Sequence, residues 1–211
     1  ISGLKIVNIS KNLQNVGLFG VLDGAVVKNL VIEDARVYGY NHVGILAGQI
    51  KGESVITDVT VEGTAAANTS SGGYASDAAV GGLAGKIFGS SSGSRATIEN
   101  VTATVNTVNL GATSKTGGIA GEVSNAYIVD TSVSATGNNI LGRYYVGGIV
   151  GAMSSGTSLY NVSVDGTIGG NGAYAVGGIT GYYEGGEIVV ARMFGEIGKT
   201  NAGTAREGIF I

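Results

Sequence analysis

The sequence predicts an all-β protein folded as a parallel β-helix, a solenoid of six to seven coils. A glycine phrase of six residues recurs along the 211-residue chain, with closing glycines at positions 20, 48, 85, 121, 151 and 181. The resulting spacings of 28 to 37 residues are typical of repeats that bury their apolar faces only against neighbouring repeats. After each phrase, β-branched residues alternate with polar ones, which indicates strands, and no helical periodicity is visible.

The glycine phrase comes first in each repeat. Four copies read Val/Thr-Gly-Gly-Ile/Leu-Ala/Val/Thr-Gly, at 80–85, 116–121, 146–151 and 176–181, and variants stand at 15–20 and 43–48. Adjacent glycines before an apolar residue indicate a tight corner or a close approach of two backbones. A phosphate-binding loop would instead need a helix after the glycines, and no helix is predicted there.

The strand pattern that follows contains a slip. Ile98 and Val101 are three residues apart, whereas Val101 and Ala103 are two apart, and a regular strand cannot keep all three on one face. The slip falls at an Asn or Asp in five repeats, and these residues tolerate the left-handed conformation. We therefore predict a structural corner column in which stacked amides bond to one another. Its members are Asn29, Asp58, Asn100, Asp130 and Asn161.

At a strict 30-residue offset, Arg192 of the last repeat would fall on the inward column of Val162, so we prefer an alignment in which one residue is deleted. Ala191 and Met193 then point inward and Arg192 faces solvent, which avoids the cost of an unpaired buried arginine. Both ends resemble parts of further coils, so we expect residues 1–211 to form a single solenoid domain cut at both ends from a longer protein. Extra loops are expected at 64–77 and 88–95, bulging from the rod.

Composition excludes several functions. The chain has no cysteine, so disulfides and thiolate metal sites are impossible, and its net charge of −3 without a basic run argues against nucleic-acid binding. Its one histidine, His42, rules out a His-Glu-x-x-His zinc site. Acidic residues do not collect at one repeat position, as a polysaccharide-cleaving groove would require. We also expect Thr102 and Thr104 to lack hydroxyl partners in neighbouring coils, which argues against an ice-binding ladder. The sequence thus predicts no catalytic residue, no cofactor and no metal.

Tyrosines mark the one candidate binding surface. Several stand shortly before a glycine phrase, so stacked coils would align them along one edge of the rod. Exposed aromatic rings with a polar tip suit contacts with sugars or proteins. The alternative is that they cover apolar surface individually. The candidate ligand-contact residues are Tyr38, Tyr40, Tyr74, Tyr144, Tyr145 and Tyr174.

The combination of Val-Gly-Gly-Leu/Ile-Ala/Val-Gly with a following Ile/Val/Leu-x-Asn/Asp-Val/Leu resembles the GLUG motif, in about six tandem copies. GLUG arrays occur in large bacterial surface proteins, including adhesin-like proteins and streptococcal immunoglobulin A1 metalloproteases. The resemblance implies a non-catalytic module of a secreted or cell-wall-attached bacterial protein. It would act as an adhesive surface or rigid spacer, touching a host glycoprotein or glycan, with membrane or wall attachment only through parts outside this chain. The alternatives are a substrate-orienting accessory region of an immunoglobulin A1-type zinc metalloprotease and a carbohydrate-active β-helix.

Overall fold

The computed structural model describes residues 1–8, 10, 12–67, 77–91, 93–170, 172–199 and 206–208. Every regular element in these ranges is a β-strand, and all pairs of strands are parallel. The predicted all-β solenoid is therefore confirmed, with about six coils. Among the same residues, no helix has the length and apolar character needed to cross a membrane.

Three parallel sheets run along the rod. The long-strand sheet contains β1 (Lys5–Asn8), β4 (Val26–Gly39), β7 (Val55–Ala67), β10 (Ala96–Asn109), β13 (Ala126–Gly142), β16 (Ser158–Gly170) and β19 (Glu187–Lys199). The entry sheet, which holds the start of each glycine phrase, contains β2 (Asn15–Val16), β5 (His42–Val43), β8 (Ala79–Gly81), β11 (Lys115–Gly117), β14 (Tyr145–Gly147), β17 (Ala175–Gly177) and β20 (Arg206–Gly208). The exit sheet, which begins at the end of each phrase, contains β3 (Phe19–Asp23), β6 (Ala47–Lys51), β9 (Ala84–Phe88), β12 (Ala120–Ser124), β15 (Val150–Met153) and β18 (Thr180–Tyr183).

Each coil passes through an entry strand, the glycine corner, an exit strand and a long strand. Coil 1 comprises β2 to β4, and coil 6 comprises β17 to β19, while β1 pairs with coil 1 and β20 with coil 6. Neighbouring coils are hydrogen-bonded as parallel strands, so successive coils lie about 4.8 Å apart. A residue therefore lies beside its equivalent from the next repeat rather than beside its neighbours in sequence.

The glycine corner is a place of close backbone approach. A Cβ on Gly118 would overlap the carbonyl oxygen of Gly148 in the next coil and lie 2.5 Å from Val133 Cγ1. A Cβ on Gly85 would lie 2.6 Å from the amide nitrogen of Val43 in the preceding coil. A side chain at Gly85 or Gly118 would push neighbouring coils apart, which explains why glycine stands at these two positions.

The core is a set of apolar columns inside the coils. The residue two positions before the closing glycine is buried in coils 2 to 6, namely Leu46, Leu83, Ile119, Ile149 and Ile179. In the long strands, further columns of buried Ile, Val and Leu face the same interior. Fully burying each such side chain stabilises the fold by about 1.5–3 kcal/mol, so the stacked columns supply the main driving force.

The long strands bend at the Asn/Asp column. Asn29, Asp58, Asn100, Asp130 and Asn161 all have positive φ, between 48° and 54°. The strand continues through the bend, and Ile98 and Val101 on either side of Asn100 are both buried. Asn100 Nδ2 donates to Asp58 Oδ1 at 2.6 Å, and Asn161 Nδ2 donates to Asp130 Oδ1 at 2.6 Å. The slip in the sequence pattern between Ile98 and Val101 therefore falls at the bend of the strand.

The sixth coil follows the shifted alignment, which is confirmed. Ala191 pairs with Val162 and packs against the core, while Arg192 is exposed and donates from Nη1 to Asn161 Oδ1 at 3.1 Å. The bend position in this coil is taken by Val190, whose φ is 55°. A β-branched residue is poorly suited to this conformation.

Two expectations about the outer surface need correction. Thr102 does have hydroxyl partners, because it pairs with Thr60 in one neighbouring coil and Ser132 in the other, and Ser132 Oγ donates to it at 3.5 Å. The uneven repeat lengths hid this register. The loop expected at 64–77 is likewise shorter, because β7 extends to Ala67, and residues 68–76 lie outside the described ranges.

Candidate ligand-binding face

Outward side chains of the entry and exit sheets meet to form one surface, which we call the entry–exit face. Its entry column is Asn15, His42, Ala79, Lys115, Tyr145 and Ala175, one residue per coil. Its exit column is Val21, Gln49, Lys86, Glu122, Ala152 and Tyr182. Five coil spacings separate the first and last members, so the face is about 24 Å long.

The first part of the face is a polar group around His42. The His42 Nδ1 atom lies 2.9 Å from Asn15 Oδ1 and 3.0 Å from Gln49 Nε2. Burial, followed by the nearby charge of Lys86, lowers the pKa of His42 to about 4. The ring is therefore neutral at neutral pH, and Nδ1 either donates to Asn15 or accepts from Gln49.

The middle of the face is an ion-pair cluster of two lysines and two acids. Lys86 Nζ lies 2.8 Å from Glu122 Oε2 and 3.4 Å from Asp77 Oδ2. Lys115 Nζ lies 2.7 Å from Asp77 Oδ1 and 3.1 Å from Glu122 Oε2. Both lysine side chains are mostly buried, at 19% and 16% exposure.

These contacts fix the charge states of the cluster. Burial opposes the ionisation of Glu122, but hydrogen bonding and charge from Lys86 outweigh it, so the pKa of Glu122 lies below its usual range. Asp77 behaves in the same way with Lys115 as its main partner, and its pKa is also lowered. Burial disfavours the charged form of Lys115, yet its bond to Asp77 raises the pKa of the ammonium. The cluster therefore holds two positive and two negative charges that compensate one another.

The far part of the face is a cluster of four tyrosines, which we call the tyrosine cluster: Tyr144, Tyr145, Tyr174 and Tyr182. Ring centroids lie 4.4 Å apart for Tyr144–Tyr145, 5.2 Å for Tyr144–Tyr174 and 4.5 Å for the stacked pair Tyr145–Tyr182. Tyr174 is 50% exposed and Tyr182 39% exposed. Burial, then hydrogen bonding with Tyr144, raises the pKa of Tyr145 to about 12, so its hydroxyl remains a donor at neutral pH.

The structure brings together three of the six tyrosines singled out from the sequence. Tyr144, Tyr145 and Tyr174 join the cluster, whereas Tyr38 stands on the long-strand sheet in coil 1, paired with Ala66. Tyr40, also in coil 1, packs against the hydrophobic core. Tyr74 lies outside the described residues. In coils 2 to 4 the entry column holds His42, Ala79 and Lys115, so the tyrosines form a local cluster rather than a strip along the rod.

Tyr182 escaped the sequence-based selection because it follows a glycine phrase instead of preceding one. Its position is equivalent to those of Gln49, Lys86 and Glu122, each directly after a closing glycine. This shared position after the glycine phrase was visible in the sequence. It predicts a contact with Tyr145 only when one knows that the glycine corner folds the exit strand beside the entry strand, where Tyr182 stacks on Tyr145.

The corner column lies on a different part of the rod, at the bend of the long strands, where its side chains bond to one another and, at Asn161, to Arg192. Within the described ranges, no group of three or more His, Asp or Glu side chains is placed to hold a metal ion.

Comparison with known proteins identifies one motif. The family model for the GLUG motif matches residues 76–109, which span coil 3 from just before β8 to the end of β10. Neither the curated proteins nor the solved structures contain a match to this chain. The chain thus carries a GLUG motif in one coil, and the same glycine phrase at the equivalent corner of the other coils is consistent with a GLUG-motif repeat region.

Proposed function

We propose that this chain is a non-catalytic adhesive module of a secreted or wall-attached bacterial surface protein, and that it holds a host glycan or glycoprotein on the tyrosine cluster. The GLUG motif and the β-solenoid fold fit a repeat module of a surface protein. The adhesive role goes further, and the tyrosine cluster is the observation that supports it.

The cluster has the features of a contact surface for a ligand. Tyr174 and Tyr182 expose two large rings, and each of these rings contacts the ring of Tyr145. Aromatic rings offer large contact area at low conformational-entropy cost, and their hydroxyls bond to polar ligands. The rings also support one another by stacking, so the surface is ordered before a ligand arrives.

Adhesion is tested with the double variant Tyr174→Ala/Tyr182→Ala. The probes are a printed glycan array, immobilised mucin and immobilised immunoglobulin A1. We expect the wild-type chain to bind a glycan or glycoprotein, and the double variant to lose about tenfold or more in affinity, as expected for removal of anchoring aromatic residues. Tyr160→Ala is the matched control, because Tyr160 is also 50% exposed but lies on the long-strand sheet.

The outcomes separate the candidate functions. Equal binding by the wild type and the double variant would contradict a role for the tyrosine cluster, and no binding to any probe would leave only a spacer role. Binding to immunoglobulin A1 but to no glycan would favour the accessory region of a metalloprotease. Cleavage of an arrayed polysaccharide by the isolated chain would overturn the non-catalytic assignment.

A further inference from the structure

If the chain is the adhesive module proposed above, the entry–exit face also indicates the class of its ligand. We infer that the ligand is an uncharged, linear oligosaccharide or polysaccharide that lies along the rod axis. One end of this ligand packs on the tyrosine cluster, and sugars further along the ligand bond to the polar group formed by Asn15, His42 and Gln49. This inference rests on the proposed function and adds to it the chemical class and the direction of the ligand.

The direction of the ligand follows from the way the repeats stack along the rod. Entry and exit columns place one outward residue each in every coil, so the face presents two lines of side chains at the coil spacing of about 4.8 Å. The tyrosine cluster occupies coils 5 and 6, and His42 and Gln49 belong to coil 2. About 14 Å therefore separate Gln49 from the first tyrosines on the same side of the rod. A ligand that reaches both groups has to be extended, and a linear sugar chain repeats along its length as the face does.

The chemistry of the polar group suits hydroxyls and amides. Asn15 and Gln49 each carry an amide, and His42 is neutral because burial lowers its pKa to about 4. Amides and a neutral imidazole both donate and accept hydrogen bonds, which is what sugar hydroxyls require. All three side chains are partly exposed, and they already contact one another through His42 Nδ1.

The ion-pair cluster argues for an uncharged ligand. Lys86 and Lys115 already contact Asp77 and Glu122 at 2.7–3.4 Å. A sulfate or uronate that took either ammonium would draw it away from a partly buried carboxylate, and a charge left without its partner in such a place is costly. The cluster thus presents hydrogen-bonding atoms without net charge, and it rejects anionic chains. Arg143, exposed beside Tyr144, is the cation through which an acidic sugar would instead bind.

Chain length and charge provide the test. Affinity is measured by calorimetry for cello- and chito-oligosaccharides of two to eight sugars. Hyaluronan and heparin oligosaccharides are measured in the same way as negatively charged ligands for comparison. We expect affinity for a neutral series to rise up to about five or six sugars, the length of the face at the coil spacing, and then to level off. Added salt and the substitution Arg143→Gln should leave it unchanged.

Two variants probe the distant end of the face. Gln49→Ala should lower affinity for a six-sugar chain about three- to tenfold, the effect of one or two lost hydrogen bonds, and leave the two-sugar affinity unchanged. His42→Asn should do the same, with Thr57→Ala, on the long-strand sheet of the same coil, as the control. Thermal unfolding midpoints are measured to check that each variant is folded. The contact between His42 Nδ1 and Asn15 Oδ1 does not involve Gln49, so Gln49→Ala should leave it in place.

Each outcome decides something. Stronger binding of heparin or hyaluronan, an affinity independent of length, or an unchanged six-sugar affinity in both variants would overturn the inference while the adhesive function stands. Binding to immobilised glycoprotein without binding to any free oligosaccharide would also overturn only the inference. Failure to bind any probe, including the glycoproteins, would overturn the proposed function itself.

Discussion

At the scale of single residues, the bend position shows how closely sequence and backbone are matched. Five coils place Asn or Asp there, with φ between 48° and 54°, and the sixth places Val190 at 55°. The left-handed conformation costs an ordinary L-residue about 1–2 kcal/mol, and Asn and Asp least. Val190 thus holds a strained conformation that the neighbouring coil imposes on it.

We predict that Val190→Asn stabilises the protein by about 1 kcal/mol, because asparagine accepts this φ and its amide lies in line with Asn161. Chemical denaturation monitored by circular dichroism measures the change. Val31→Asn is the control, since both valines are 46% exposed but Val31 does not have positive φ. An equal effect of the two substitutions would show that the bend is not under strain.

His42 gives the protein a predictable pH dependence. Its pKa is about 4 in the fold and 6.5 when unperturbed, so between these values the unfolded chain binds a proton that the fold excludes. The stability from this site is complete above pH 6.5 and is lost as the pH falls through about 4. Groups facing His42 are Lys86, Asp77, Glu122 and Lys115, of which Lys86 has the largest effect.

We predict that wild-type unfolding free energy falls by roughly 2 kcal/mol more than that of His42→Gln between pH 7 and pH 4, after allowance for solvent screening. Urea denaturation at a series of pH values measures both curves. Protonation of Asp77 and Glu122 also lowers the unfolding free energy, but only below pH 4.5, because the pKa values of both groups are lowered in the fold. This loss is the same in the wild type and in His42→Gln. Parallel curves across the whole range would contradict the assignment of a buried, neutral imidazole.

At the scale of elements, the glycine corner sets the spacing between coils. We predict that Gly118→Ala destabilises the protein by about 3 kcal/mol, because its Cβ would overlap the Gly148 carbonyl oxygen and Val133 cannot move away in a packed core. Gly198→Ala is the matched control, since no heavy atom lies within 4 Å of its Cβ position. Thermal unfolding followed by circular dichroism compares the two, and similar midpoints would argue against close packing at the corner.

The elements also show what a sequence reveals and what it hides. The glycine phrase and the slip between Ile98 and Val101 were sufficient to predict corners, strands and coil count, because these features are local and repeated. The pairing of Thr102 with Thr60 was not predictable, since those residues are separated by the longest repeat. The place of Tyr182 beside Tyr145 was hidden for a related reason: it depends on how two sheets meet across a glycine corner.

At the scale of the whole molecule, the solenoid turns a sequence period into lines of side chains on the surface. The same backbone carries a neutral polar group, a compensated ion-pair cluster and the tyrosine cluster on one face, within about 24 Å. Because each coil contacts mainly its neighbours, changes in one outward residue leave the other coils in place. This arrangement suits a rod whose binding properties vary along its length while its core stays constant.

Everything proposed for the entry–exit face depends on coils that stack in parallel register, and distances between spin labels test this most directly. The chain has no cysteine, so pairs of cysteines can be placed without background. Residues 28 and 160 occupy one outward column four coil spacings apart, and residues 31 and 192 occupy another, five apart. Pulsed electron paramagnetic resonance on the two double-cysteine variants should give separations near 19 Å and 24 Å, apart from the label linkers, the second longer by one coil spacing. Separations that do not increase with the number of coils, as in a sandwich of antiparallel hairpins, would contradict the stacked solenoid and the face built on it.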